Sequence, residues 1–338
     1  MVWALPAEAA AQPAKAQTKK IVLHDAKRKN LALPVLVTWV AANAAPPHRP
    51  VIIFSHGAVG DVTKYQFLAD CWAQHGYIVI RPEHVDSLAR IKERHETVSA
   101  TLDKISMDGS GWVERARDIS GVIDAIPEVE KQIPAIAPLV DAKRIGVGGH
   151  ALGAMIAMLL AGATMPASRE KNLPSVRDPR VQALVLLSPP YLRLKNDVVG
   201  FDDKQSFQNL RTAALFVMGD HVRHKLTLFF SSGNPYTSSP AGDKYMAIVL
   251  GASDVTFLGP VAEGDSRQIM ISEALNAAME DARESTVAYE RMQLHALGVL
   301  TTDFWDAYLK GNAAAKRSLQ SKSGVRAQER ESFQLQNR

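Results

Sequence analysis

Arg144-Ile145-Gly146-Val147-Gly148-Gly149-His150-Ala151-Leu152-Gly153-Ala154 is the stretch that decides the fold. Its apolar first half gives way, through a turn of small residues, to the apolar Leu152-Gly153-Ala154-Met155-Ile156-Ala157, which predicts a strand, a sharp turn and a helix. Glycines at 149 and 153 flank Ala151 with the spacing of the Gly-x-Ser-x-Gly nucleophile elbow, matched in all but its centre. In that motif the glycines admit a strained central backbone and a close strand-to-helix approach, which lifts the central side chain above the sheet. Ala151 has no hydroxyl, so no acyl-enzyme can form at this position. Small residues also occur wherever a helix packs tightly on a strand; the context favours the elbow, with a strand before it, a helix after it and a His56-Gly57 turn upstream.

Working outward, Val51-Ile52-Ile53-Phe54-Ser55 is a short continuous apolar run that suits a strand buried on both faces. Two β-rich stretches, 20–24 and 31–40, precede it across a charged turn and read as an antiparallel edge. Helices are expected near 65–75, 112–126 and 152–161, and strands near 77–81, 144–148, 181–187, 213–218 and 245–250. Such alternation means parallel βαβ units. The expected class is α/β, an α/β-hydrolase fold with a mostly parallel central sheet, helices on both faces and ligands at the carboxyl ends of the strands. Residues 20–319 are read as one domain, 1–19 as a disordered tail or signal remnant, 86–111 as a cap or loop insert, and 320–338 as a loose tail.

The composition sets outer limits. A chain of 338 residues with 46% hydrophobic content can build one large α/β core. The net charge of +4, from 39 basic and 35 acidic residues scattered along the chain, offers no dense basic block for nucleic acid. Cys71 is the single cysteine and excludes an internal disulfide; its simplest reading is a small apolar residue on a helix. The segment Ala4-Leu5-Pro6-Ala7-Glu8-Ala9-Ala10-Ala11 resembles the small-residue end of a secretory signal, which implies a periplasmic or secreted protein; a plain disordered tail on a cytoplasmic protein is the other reading. No run of about 18 apolar residues exists, so no membrane span is expected. The ten histidines lack the His-x-x-x-His spacing and there is no phosphate loop or dinucleotide fingerprint, so neither metal nor cofactor is expected.

The chain resembles the bacterial predicted dienelactone hydrolases, relatives of platelet-activating-factor acetylhydrolases and of polymer and herbicide esterases. The resemblance runs roughly over 22–319 and is carried by 51–57, 144–154, Ser239-Pro240-Ala241-Gly242-Asp243-Lys244-Tyr245, 251–257 and Thr301-Thr302-Asp303-Phe304-Trp305-Asp306-Ala307-Tyr308-Leu309-Lys310-Gly311. It implies a serine nucleophile at position 151 and an oxyanion hole made by the backbone N–H groups of Leu152 and Ala58, which survive the loss of that serine. The triad acid is expected after a late strand, where Asp220 ends Leu215-Phe216-Val217-Met218-Gly219-Asp220; an ordinary capping or loop carboxylate is its alternative. Ser188 stands in the other slot for an acid and cannot serve, which leaves Asp202 and Asp203 as further candidates. Where the family reads Gly-Ala-x-His-x-x-Phe, this chain reads Gly251-Ala252-Ser253-Asp254-Val255-Thr256-Phe257, so Asp254 occupies the histidine position. A carboxylate with an ordinary pKa near 4 is a poor base for a serine hydroxyl. His221 and His224 are the substitutes nearest to Asp220, on a different loop.

Residues after strand ends should line a pocket: His84, Trp112 and Tyr191 read either as an apolar and aromatic substrate pocket or as core and rim packing. Two functional classes follow. One is a serine-type carboxylic ester hydrolase, acting on a small-molecule or polymer ester and disabled at its nucleophile. The other is a natural pseudoenzyme that binds a ligand or partner on the same scaffold. Non-hydrolytic chemistry using Asp220 or Asp254 as base is a third, more distant reading.

Overall fold

The computed structural model describes residues 15–41, 48–108, 110–164, 174–189, 204–220, 234–253, 256–259, 282–321 and 332–338. Within them one sheet contains β1 (Gln17–Asp25), β2 (Leu31–Trp39), β3 (Arg49–Ser55), β4 (Ile78–Pro82), β5 (Val140–His150), β6 (Val181–Leu187), β7 (Ala213–Gly219), β8 (Lys244–Val249) and β9 (Phe333–Asn337). Their order across the sheet is β1-β2-β4-β3-β5-β6-β7-β8-β9. The run from β4 to β8 is parallel, and β1, β2 and β9 pair antiparallel at the two edges. The chain winds outward from β3 in one direction and from β5 in the other. The crevice of such a sheet opens beyond the carboxyl ends of those two neighbouring strands.

The helices are α1 (Gln66–Gln74), α2 (Leu88–Glu93), α3 (Val98–Asp108), α4 (Ser110–Asp124), α5 (Ile126–Gln132), α6 (Leu152–Leu160), α7 (Pro235–Ser238), α8 (Ala282–Leu309) and α9 (Ala313–Gln320). All seven residues of β3 are buried, as its continuous apolar sequence demands. Alternation then divides them: Val51 and Ile53 join the core formed with α4, α5 and α6, while Ile52 and Phe54 join the one formed with α1, α8 and α9. Every residue of α6 is buried, which explains why it is apolar all round rather than on one stripe.

Two expectations are corrected. Residues 320–338 are not a loose tail throughout, because Phe333–Asn337 adds a strand to the free edge of β8, with Leu335 opposite Ala247 and Phe333 buried. An unpaired edge offers a row of backbone donors and acceptors, and the alternating Phe333-Gln334-Leu335-Gln336 pattern fits it. Likewise β1 begins at Gln17, inside the segment expected to be tail. The 86–111 insert is helical, with the Ser87 hydroxyl capping α2 by accepting from the Arg90 N–H at 3.2 Å.

Candidate active site

Ala151 sits between β5 and α6 with φ 49° and ψ −115°, a left-handed backbone that a residue with a Cβ rarely adopts. Holding a non-glycine residue there costs about 1–3 kcal/mol. The turn is fixed on both sides: the Ala151 N–H donates to the Leu187 carbonyl at 2.9 Å, and the Ala151 carbonyl accepts from the Met155 N–H at 3.2 Å. A Cβ on Gly149 would lie 2.3 Å from the Gly153 carbonyl carbon, and one on Gly153 would lie 2.1 Å from the Ser55 oxygen. Both glycines are therefore demanded by contact, and the elbow read from the sequence is present in three dimensions.

The groups around Ala151 come from four strand ends. Leu152 opens α6, so its N–H is one of the first-turn donors with no acceptor inside the helix, at the positive end of the helix dipole. On the β3 side, a Cβ on Gly57 would stand 3.7 Å from the Ala151 Cβ, which places the turn carrying Ala58 against the elbow. The buried His150 meets the Tyr65 hydroxyl at 3.1 Å through Nδ1 and packs on the Phe257 ring with centroids 6.4 Å apart. Phe257, on the described segment 256–259 beyond β8, thus packs against the elbow. At the end of β6, Ser188 also has a positive φ, 42°, and its buried hydroxyl has no hydrogen-bond partner among the described residues.

Asp220 follows β7, and its carboxylate accepts the backbone N–H of Gly251. It thus steadies the loop that carries position 254. Asp254 itself, and with it Tyr191, His221, His224, Asp202 and Asp203, lies outside the described residues. Of the pocket candidates within them, Trp112 packs in the core at 3% exposure, and His84 is fully buried beneath the Gly57 turn.

His84 belongs to an array that the sequence reading missed. Its Nε2 lies 2.9 Å from the Ser55 hydroxyl and its Nδ1 lies 2.7 Å from Asp118, whose other oxygen accepts from Arg28 at 2.7 Å. The carboxylate can only accept, so the Nδ1 carries the proton and Nε2 accepts from Ser55. Burial and then the charge of Arg115 hold the His84 pKa below its ordinary value, which keeps the ring neutral. These are the residue types and the order of a Ser-His-Asp triad. Ser55 and His84 are both 0% exposed, so no substrate reaches them.

Beside that array, Arg115 makes a two-pronged ion pair with Asp86 at 2.8 and 2.7 Å and donates to the carbonyls of His56 and Gly57 at 2.7 and 2.9 Å. Burial alone would raise the Asp86 pKa, but the charge and hydrogen bonds of Arg115 outweigh it and hold the carboxyl well below the usual range. Burial, Arg115 and His84 together push His56 well below its ordinary value. Neutral His56 then donates from Nδ1 to the Gly57 carbonyl at 2.7 Å and accepts the His84 backbone N–H at Nε2, 3.3 Å. The readable signal was on α4: Arg115 and Asp118 fall on the same face as Trp112, Ile119 and Val122, and charge on an apolar face needs a partner.

Among the described residues no group of three or more His, Cys, Asp or Glu side chains could hold a metal ion, and no helix is long and apolar enough to cross a membrane.

The family model for platelet-activating factor acetylhydrolase, isoform II, matches residues 12–108, a segment that includes β3 and the Gly57 turn and stops before the elbow. Among solved structures, a ferulic acid esterase from Streptomyces cinnamoneus superposes with a TM-score of 0.55 at 17% identity, covering 90% of this chain and 93% of that one. A dienelactone hydrolase from Anabaena variabilis ATCC 29413 gives 0.50 at 13% identity, covering 87% and 99%. No curated protein matches the chain by sequence. At these identities the structural likeness establishes the fold, which is that of the α/β-hydrolases.

Proposed function

We propose that this chain is a serine-type carboxylic ester hydrolase in design, acting on a small-molecule or polymer ester, and that with alanine at 151 it does not turn that ester over. The observation that carries the reading is the backbone of Ala151. A conformation costing about 1–3 kcal/mol serves to project a nucleophile from a strand end, and a methyl group gains nothing from it. With serine at 151 and histidine at 254, the imidazole would take the hydroxyl proton as the serine oxygen bonds to the ester carbonyl carbon, driving charge onto the carbonyl oxygen opposite the N–H groups of Leu152 and Ala58, and would pass that proton to the departing alcohol. Collapse would expel the alcohol, and water would release the acid. The matches to a platelet-activating factor acetylhydrolase model and to an esterase and a dienelactone hydrolase support ester chemistry.

The test is Ala151→Ser, alone and with Asp254→His, assayed on p-nitrophenyl esters of graded acyl length. Turnover above the blank is expected once both positions are changed. Folded but inert variants would defeat the reading.

A second reading, a pseudoenzyme that binds without cleaving, is favoured by the number of altered positions. Alanine at 151 is accompanied by Asp254 in the histidine position and by Ser188, a hydroxyl, in one of the two acid slots. It predicts that both variants stay inert while an ester or its acid binds the unaltered chain at the elbow, followed by calorimetry.

A further inference from the structure

We propose that Arg115 is a positioning residue that sets the Gly57–Ala58 peptide, turning the Ala58 N–H toward the elbow and holding it ready for a carbonyl oxygen. Arg115 makes more hydrogen bonds than its burial requires. A guanidinium 1% exposed needs a counter-charge, and Asp86 supplies it. Arg115 goes further: it also donates to the His56 and Gly57 carbonyls and, at 3.4 Å, to the Ser55 hydroxyl, three consecutive residues of one turn. The Gly57 carbonyl accepts from the His56 Nδ1 and the Gly60 N–H as well, at 2.7 and 3.1 Å. Rotating that peptide would abandon all three donors.

Peptide geometry carries the consequence to the other side. The bond is planar and trans, with no cis peptide among the described residues, so a Gly57 carbonyl held on the Arg115 side sends the Ala58 N–H the opposite way. The elbow borders Gly57, whose Cβ would stand 3.5 Å from the His150 Nδ1 and 3.7 Å from the Ala151 Cβ. The neighbouring amides of the turn are taken: the Val59 N–H donates to Asp86 at 3.4 Å and the Gly60 N–H to Gly57. The Ala58 N–H has no acceptor among the described residues, and Ala58 is half-buried rather than sealed. A donor left over in a turn so fully bonded is one spared for a ligand.

The proposal rests on the ester reading only for what the N–H would bind, and its test separates the two. In the full chain, Arg115→Met and Arg115→Lys are compared with the parent by the residual dipolar coupling of the Ala58 N–H and by its amide exchange. Arg115→Met should move the Ala58 coupling off the value fitted by the sheet and change its exchange about tenfold or more, with Arg115→Lys recovering part of the difference. An unmoved Ala58 coupling in folded Arg115→Met overturns the proposal. Should Arg115→Met fail to fold, Arg115→Gln, which keeps two donors, with Asp86→Asn to remove the stranded charge, gives the same readout. If Ala151→Ser with Asp254→His is active, adding Arg115→Lys should lower kcat by about a hundredfold with KM unchanged, whereas a rise in KM alone would overturn the assignment. Inactivity of that background defeats the ester reading and leaves the coupling to decide this one.

Discussion

Two hydrogen-bonded regions flank the Ser55-His56-Gly57 turn, and each keeps what the other lacks. On one side is the elbow, with a left-handed residue at φ 49°, glycines in forced contact and the first turn of a fully buried helix, but a methyl group at its centre. On the other side Ser55, His84 and Asp118 form a continuous chain with contacts of 2.9 and 2.7 Å, and two of the three have no exposure. Residue types alone would choose the second as catalytic. Under the proposed ester reading, access and backbone placement point to the first: a nucleophile must project from a strand end into the crevice, whereas Ser55 is the last residue of an extended strand buried throughout. The buried array instead ties β3, the segment after β4 and α4 into one rigid support under the Gly57 turn.

The sharpest way to break this contrast is an active-site label. An alkyl fluorophosphonate should leave Ser55 of the folded chain unmodified, and should label position 151 in Ala151→Ser combined with Asp254→His, as read by peptide mass. Label on Ser55 under native conditions would show that the array is open. Next in size is Gly153→Ala, which drives a Cβ to 2.1 Å from the Ser55 oxygen, a backbone atom that cannot step aside. A loss of about 4 kcal/mol or more is expected in denaturant unfolding, beyond ordinary substitutions. On the other side of the turn, Asp86→Ala strands the Arg115 charge in the core. It should cost about 3–5 kcal/mol, and a cost under about 1 kcal/mol would mean that water already reaches the guanidinium.

The same contrast explains what could be read in advance. The elbow was legible because its signal is local: five consecutive positions between an apolar strand and an apolar helix. The sheet was legible for the same reason, through runs such as 51–55 and 181–187. The array was harder to read, since its members come from β3, the segment after β4 and α4, far apart in sequence; only Arg115 and Asp118, on the apolar face of α4, mark it, and nothing local names their partners. His84, for which the sequence leaves pocket lining and packing both open, is its centre. The closing strand β9 was hidden for a different reason: five residues of alternating pattern within a polar tail carry little weight until the edge of β8 is seen to lie open.

Acid should weaken the array before the elbow. His56 and His84 both have folded pKa values below the ordinary histidine value of about 6.5, so between the two values the unfolded chain binds more protons. Their contribution is complete above about pH 6.5 and is lost as pH falls, by up to about 1.4 kcal/mol per pH unit for each histidine. Asp86, also depressed, acts with the same sign further into acid, below the ordinary carboxylate value. Half-exposed His75 works against this, since hydrogen bonding to Cys71 raises its pKa and its small contribution is lost as pH rises. Thermal unfolding followed between pH 8 and 5 should therefore show a falling Tm, and a flat profile would mean that the two buried rings are not held neutral.

The smallest expected effect tests the elbow itself. Glycine adopts φ 49° without the steric penalty that alanine meets there, so Ala151→Gly should relieve part of about 1–3 kcal/mol of strain. Against this stand the greater freedom of glycine in the unfolded chain, about 0.5–1 kcal/mol, and the loss of one half-buried methyl, at most about 0.8 kcal/mol. With about 2 kcal/mol relieved, the middle of that range, the net is a stabilisation of about 0.2–1.5 kcal/mol. Ala154→Gly, three residues on and fully buried within α6, is the control: the same change on helical backbone should destabilise by about 1 kcal/mol or more. Opposite signs at the two positions would locate the strain at residue 151. A loss at both would mean that the turn is held without strain, and the backbone of Ala151 could then no longer be read as the imprint of a nucleophile.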